Sequence, residues 1–384
     1  MNLNRRRIGQ LSSFMIAVMA LMLFCGNGPK SEFGPHEIKS RDWLTRRGAA
    51  VDDRAVGLLD KGELSNLITN FGIISNFHSG SPALRWPRDS EDVQQYGFGV
   101  GLVVAADGVL IFSVDDPSSN VLDYGWEASD GSLGGLFNDD RNSDNTAGDD
   151  VTPFLASSDR TATWPVDDGE AFWPGPFRED LGNPGQEVTG EFTSDRDVYG
   201  VLEDVRGVGL RVEQLAYSYS RPYAKNLIFV RYILHNDSDV DLDEVYAGFH
   251  ADLKADFYAD DRIGAWSLVD GENVPSFFFK QDLNGIPQRG DSSEFEQWVG
   301  PVGWIGAGIV KSPDDMGVSS FHYYHDDYSP VSDEDFSGIL RNDTSGLDNP
   351  EWYFHGEDPG FDDLSLQSGV DKDEFPGSER SKER

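Results

Sequence analysis

The chain is short of cysteine, of lysine and of long apolar runs. Cys25 is the single cysteine in 384 residues, so no intrachain disulfide can form and packing must hold the fold. Nine lysines and 22 arginines face 68 acidic residues, a formal net charge of -37. A surface of that sign repels nucleic acid and anionic lipid headgroups, which excludes nucleic-acid binding as a function. The most apolar stretch, FMIAVMALMLF at residues 14–24, covers as a helix only about half of a bilayer core. The chain also lacks a G-x-S-x-G elbow, an H-E-x-x-H pair, a P-loop and a dinucleotide-binding glycine fingerprint. No reaction is therefore legible, and the chemistry leans away from an enzyme.

What is present begins at the N-terminus. Arg5-Arg6-Arg7 precedes the apolar run at 14–24, and Cys25 follows at once, then Gly-Asn-Gly. Basic start, short apolar core and small residues make an export segment rather than a membrane anchor. Cys25 in that position resembles the acylation site of a bacterial lipoprotein, except that Phe24 stands where a small residue is expected. Acylation, cleavage without lipid and retention of the segment remain the three alternatives. An acylated Cys25 would tie the protein to a membrane without a spanning helix. The expected location is the outer membrane or cell surface, anchored or secreted, with membrane contact only through this segment.

Beyond it, residues 26–40 (GNGPKSEFGPHEIKS) form a polar linker and 371–384 (DKDEFPGSERSKER) a charged, core-free tail. Residues 41–370 read as one β-rich globular region, divisible into subdomains at 41–200 and 201–370. Residues 51–64 offer the best helical pattern, kept short by Gly57 and Gly62. GVGLVVAADGVLIFSVDD at 99–116 is a hairpin around Asp107-Gly108, a dipeptide suited to a type I′ turn. Residues 117–200 predict long loops and short strands pinned by Trp126, Trp164 and Trp173. From 208 to 252 three strands, VGLRVEQLAYSYS, LIFVRYILHN and EVYAGFHADL, predict an antiparallel meander, with 275–282 and 302–312 as further strands. The fold class is mainly β: an antiparallel β-sandwich with long acidic loops and few short helices.

Aspartate supplies 47 of the 68 acids, and Asp-Asp doublets recur nine times. Short carboxylates suit a hard cation such as Ca2+; they equally suit a solvated acidic coat. Two loops carry the calcium expectation. In the first, NDDRNSDNTAGDD (138–150), Asp140, Asn142 and Asp144 have the D-x-N-x-D spacing of a calcium loop, with Asp149 as a further ligand. Val151 stands where an EF-hand needs its bidentate glutamate, so the loop is not an EF-hand. The second loop is the stronger: Asp252 ends a strand, and Asp256, Asp260 and Asp261 follow within nine residues. Ca2+ is the only cofactor these patterns suggest. His322, His325, Asp326 and Asp327 raise zinc, but an aromatic strand end with surface histidines explains them better. Trp86, Trp126, Trp164 and Trp173 sit among Gly and Pro, where they serve as loop pins or as stacking platforms for sugars.

The segments WPVDDGEAFWP, GLRVEQLAYSYS, NLIFVRYILHNDSD and YAGFHADLKADFYADDRIG, with NFGIISNF (70–77) and Trp86-Pro87, resemble a broad group of uncharacterised bacterial secreted and lipoprotein-like β-rich proteins. The shared pattern is Asn236 to Ser238 after a strand, then Asp252, then Asp260-Asp261 to Gly264. Some members end in cell-surface sorting domains, and no such tail follows here; the resemblance implies Cys25 as the anchor or a longer gene product. It implies export and a β-rich fold, not an activity. The expected role is structural, adhesive or ligand-capturing, with a polysaccharide or surface protein as partner. The alternative is a carbohydrate-binding or carbohydrate-active protein of the envelope.

Overall fold

The computed structural model describes residues 16–25, 54–75, 83–89, 96–116, 121–129, 154–242, 245–253, 261–267, 276–282, 304–311, 322–323, 340 and 354–355. Strands dominate them. In chain order these are β1 (Ile16–Cys25), β2 (Val56–Leu59), β3 (Asn66–Thr69), β4 (Ile73–Ile74), β5 (Gly97–Ala106), β6 (Val109–Ile111), β7 (Ser113–Asp116) and β8 (Val121–Tyr124). They continue as β9 (Trp126–Ala128), β10 (Ala156–Ser157), β11 (Val166–Asp167), β12 (Glu170–Ala171), β13 (Arg196–Asp204), β14 (Leu210–Ser218) and β15 (Leu227–Asn236). The last six are β16 (Val245–Leu253), β17 (Asp261–Ser267), β18 (Ser276–Asp282), β19 (Trp304–Lys311), β20 (His322–Tyr323) and β21 (Phe354–His355). A single 3-10 turn, Thr161–Thr163, interrupts them among the described residues. The mainly-β, antiparallel expectation holds.

The larger sheet runs β10-β13-β14-β15-β1-β19-β18-β17, with β9 also on β13. Its two wings, β13–β14–β15 and β17–β18–β19, are each antiparallel. β1 lies between them, parallel to β15 on one side and to β19 on the other. The smaller sheet runs β16-β5-β4-β3-β2, with β6 returning along β5. Both sheets feed one cluster of buried side chains: Leu59, Ile68, Ile74, Leu102 and Val104 meet Val198, Leu202, Val212, Val230 and Ile305. Residues from both sides of position 200 share this core.

Three local expectations meet different outcomes. Asp107 and Gly108 take φ values of 50° and 80°, which is the positive-φ pair a type I′ turn needs between β5 and β6. The helix expected over 51–64 is instead strand β2 followed by a turn. The apolar spacing mimics a helix there, but the glycines serve close approach: a Cβ on Gly57 would collide with the Val198 side chain, and one on Gly62 with the Lys225 carbonyl. The meander expected at 208–252 is only two strands long. β14 and β15 form the hairpin, whereas β16 leaves for the other sheet and pairs with β5 from Val245↔Ala106 onward. The other side of β15 is taken by β1.

Candidate functional site

The calcium candidates divide. Asp140, Asn142, Asp144, Asp149, Asp256 and Asp260 lie outside the described residues. Asp252 is placed on β16 opposite Gly99, next to a register shift. Asp261 opens β17 opposite Asp282. These two backbones belong to different sheets. Among the described residues, no three His, Cys, Asp or Glu side chains converge as a metal site. Cys25 closes β1 opposite Leu234. His322 pairs across a short ladder with His355, while His325, Asp326 and Asp327 lie outside the described residues.

The tryptophans act as pins. Trp126 is fully buried in the shared core and donates Nε1–H to the Leu102 carbonyl at 3.1 Å. Trp173 is buried on the far face of the larger sheet, its Nε1–H donating to Pro176 O at 3.1 Å. Trp164 donates to Ser157 O at 2.8 Å and stacks obliquely on Trp173, centroids 5.8 Å apart. Each indole N–H has a partner, as buried tryptophan requires. Trp126 and Trp173 are thereby withdrawn from any sugar-stacking role; Trp86 is half-buried against the shared core.

Two charged clusters that sequence reasoning did not single out are the best-organised polar groups. The first is a clamp. Arg196, 4% exposed at the start of β13, donates to both Asp159 oxygens at 2.8 and 2.9 Å, to Asp60 Oδ1 at 2.5 Å and to Leu58 O at 3.1 Å. Lys61 Nζ adds a contact to Asp159 at 2.7 Å. Burial alone would push the Asp159 carboxyl up; hydrogen bonds and charge from Arg196 and Lys61 outweigh it and hold Asp159 at about 2. The clamp joins the turn after β2 to the start of β13 and the turn after β10.

The second cluster crosses β13, β14 and β15 on the face away from the smaller sheet. Register sets it: Arg211 stands opposite His235, and Glu213 is two residues along the same strand. Glu213 Oε1 lies 2.9 Å from His235 Nε2, off the line of a hydrogen bond, and 3.4 Å from Arg211 Nη1. Tyr199 donates its hydroxyl to Glu213 Oε2 at 3.3 Å, and Arg211 Nε donates to Asp237 Oδ2 at 2.6 Å. Burial would raise the Glu213 carboxyl; contact with His235 and Arg211 prevails and keeps it below the usual glutamate range. At the opposite end of the same face Asp197 is buried, with no cation paired to it among the described residues. Burial raises its carboxyl although Ser194 Oγ and the Thr193 and Ser194 amides donate to it. The arrangement neutralises charge and fixes strand register. It brings neither a serine nor a cysteine nucleophile to His235 among the contacts described.

No protein-family model, curated protein or solved structure matches this chain. The only sequence signal that points to the second cluster is charge inside otherwise apolar strands, at Arg211, Glu213, Arg231 and His235. Which of these meet depends on a ladder register that single strands do not encode.

Proposed function

We propose that this is an exported, non-enzymatic β-rich protein of the bacterial envelope, lipid-anchored through Cys25, with a structural, adhesive or ligand-capturing role. The carrying observation is the N-terminal series Arg5-Arg6-Arg7, the apolar run 14–24 and the lone Cys25. The conduct of the aromatic and charged residues supports it: the tryptophans pin loops, and the two charged clusters tie strands together. Structural Ca2+ bound around Asp252, Asp256, Asp260 and Asp261 belongs to the same reading.

One observation favours a second reading. Ile16–Cys25 pairs with a strand on either side, which suits a segment kept as part of the sheet rather than removed. The intact mass of the protein recovered from expressing bacteria separates them. A mass beginning at Cys25 plus acyl chains, with labelled palmitate incorporated and lost in Cys25→Ala, supports the anchor. A mass retaining residues 16–24 in unlabelled protein makes β1 a permanent strand and sinks the anchor. Calcium is tested separately by melting with calcium and with chelator; an identical midpoint removes it. A glycan array and a hydrolase panel test the carbohydrate alternative.

A further inference from the structure

Among the described residues, the shared core contains a polar pair that its neighbours do not satisfy. Tyr232 on β15 and Gln214 on β14 stand directly opposite each other. Both are 1% exposed, and both face the smaller sheet: Tyr232 belongs to the inter-sheet cluster, and Gln214 Nε2 donates to the Thr69 carbonyl on β3 at 2.8 Å. That bond fixes the amide orientation, because a carbonyl accepts only from the NH2 end. Gln214 Oε1 is then turned away from Thr69. Neither Gln214 Oε1 nor Tyr232 Oη has a hydrogen-bonding partner among the described residues.

The residues that flank the pair along the ladder add no polar side chain of their own. Gly200 stands opposite Gln214 on β13, and Leu23 stands opposite Tyr232 on β1. Neither residue type carries a polar side-chain group. A donor hydroxyl and an acceptor carbonyl are thus carried by two opposed residues in a largely apolar core. A buried polar group without a partner is costly, and globular interiors meet this with ordered water held by two to four polar atoms. Complete burial also pushes the Tyr232 hydroxyl far above its ordinary range, so it stays a neutral donor at all physiological pH.

We propose that the inter-sheet core holds one ordered water molecule, accepting from Tyr232 Oη and donating to Gln214 Oε1. It ties β14 to β15 in the row where Gln214 also ties the larger sheet to β3. The ligand class is a single water, bound by a neutral donor–acceptor pair.

The test uses the full chain and two readouts. Magnetic relaxation dispersion of water oxygen-17 counts long-lived internal waters; Tyr232→Phe should lower the count by one. A high-resolution crystal structure should show density within about 2.7–3.2 Å of both atoms. An unchanged count, or a direct contact between Tyr232 Oη and Gln214 Oε1, overturns the proposal. Thermal melting decides the remaining case. A bridged hydroxyl makes Tyr232→Phe neutral or lower-melting, whereas a dry, unpartnered hydroxyl makes it higher-melting and overturns the proposal. Gly200→Ala is the control. Its new methyl meets Leu155 and Asn70 at 3.4–3.5 Å, ordinary contact, and it should keep the full water count.

Discussion

The two faces of β13–β14–β15 solve burial in opposite ways. The face toward the smaller sheet is apolar along Val198, Leu202, Val212, Ala216, Ile228, Val230 and Leu234, with charge kept to its rim at Arg196. The outward face carries charge within its strands, toward one end, at Arg211, Glu213 and His235, and is roofed elsewhere by aromatic rings from residues 156–192. The inner face has a second sheet against it, with ladders that satisfy their own backbone. Among the described residues, the outer face is covered by turns and the two-residue strands β11 and β12. Rings with few rotatable bonds suit a cover of that kind, because they bury much area per ordered residue. The inner face should therefore behave as the cooperative core, and the outer cover as a separately loosened layer.

Truncating each layer tests this most sharply. Trp173→Ala removes the ring that contacts Trp164, Phe192 and Tyr199, and should destabilise by about 4 kcal/mol. Its signature is local: trypsin should cut at Arg178 well below the global unfolding midpoint. Leu202→Ala, fully buried on the inner face, should lower the global midpoint without early cutting at Arg178. Equal early cleavage in both variants would erase the distinction between the faces.

The rim clamp comes next. Arg196→Met leaves Asp60 and Asp159 without their shared cation, and a broken buried pair costs about 3–5 kcal/mol. Because those carboxylates are about a quarter exposed, water screens them and the lower end, about 3 kcal/mol, is expected by denaturant titration. A loss below about 1 kcal/mol would show the clamp to be a surface ornament of the rim.

How much of this was legible in the sequence follows from what each pattern encodes. The strand itself was readable: LIFVRYILHN is β15, which buries Ile228, Val230, Tyr232 and Leu234 on one side and half-buries the residues between them. The Asp107-Gly108 turn was readable because few residue pairs accept two positive φ angles. Partner choice was not. The strand EVYAGFHADL looks the same whether it joins β15 or β5; in the fold β15 pairs with β14 and β1, and EVYAGFHADL pairs with β5. The 51–64 stretch misled because a glycine that weakens a helix is the same glycine that admits Val198 and Lys225 at close range. Of the candidate site, the acidic density was visible, yet the organised charges are Arg196 with Asp159 and Glu213 with His235. Each of those pairs is joined by packing rather than by sequence spacing.

Acid should separate Asp159 in the clamp from Asp197 on the outer face by sign. Asp159 is held at about 2, below its ordinary 3.8, so it contributes stability above pH 3.8 that is lost as pH falls through about 2. Asp197 on the outer face is raised, so its contribution runs the other way: present at low pH and lost as pH rises through its folded value. Asp159→Asn should flatten the decline in denaturation midpoint between pH 4 and 2, and Asp197→Asn should leave that decline in place. Identical slopes in wild type and Asp159→Asn would detach the clamp from acid stability.

The smallest effect is expected where the cover meets solvent. Leu181 is 89% exposed in the turn closed by Asp180, whose carboxylate accepts from the Gly182 amide and from Asn183 Nδ2. That turn is shaped by its polar residues, and the leucine contributes almost no buried area. Leu181→Ser should change stability by less than about 0.5 kcal/mol. The same turn depends on Asp180, whose carboxyl is held below its ordinary range by Asn183 and the Gly182 amide. Asp180→Ala should therefore speed hydrogen exchange at Gly182 while leaving the inner-face amides of Val212 and Val230 unchanged. If exchange at Val212 or Val230 rises in step with Gly182, the cover and the core open together, and the contrast between the two faces is one of composition alone.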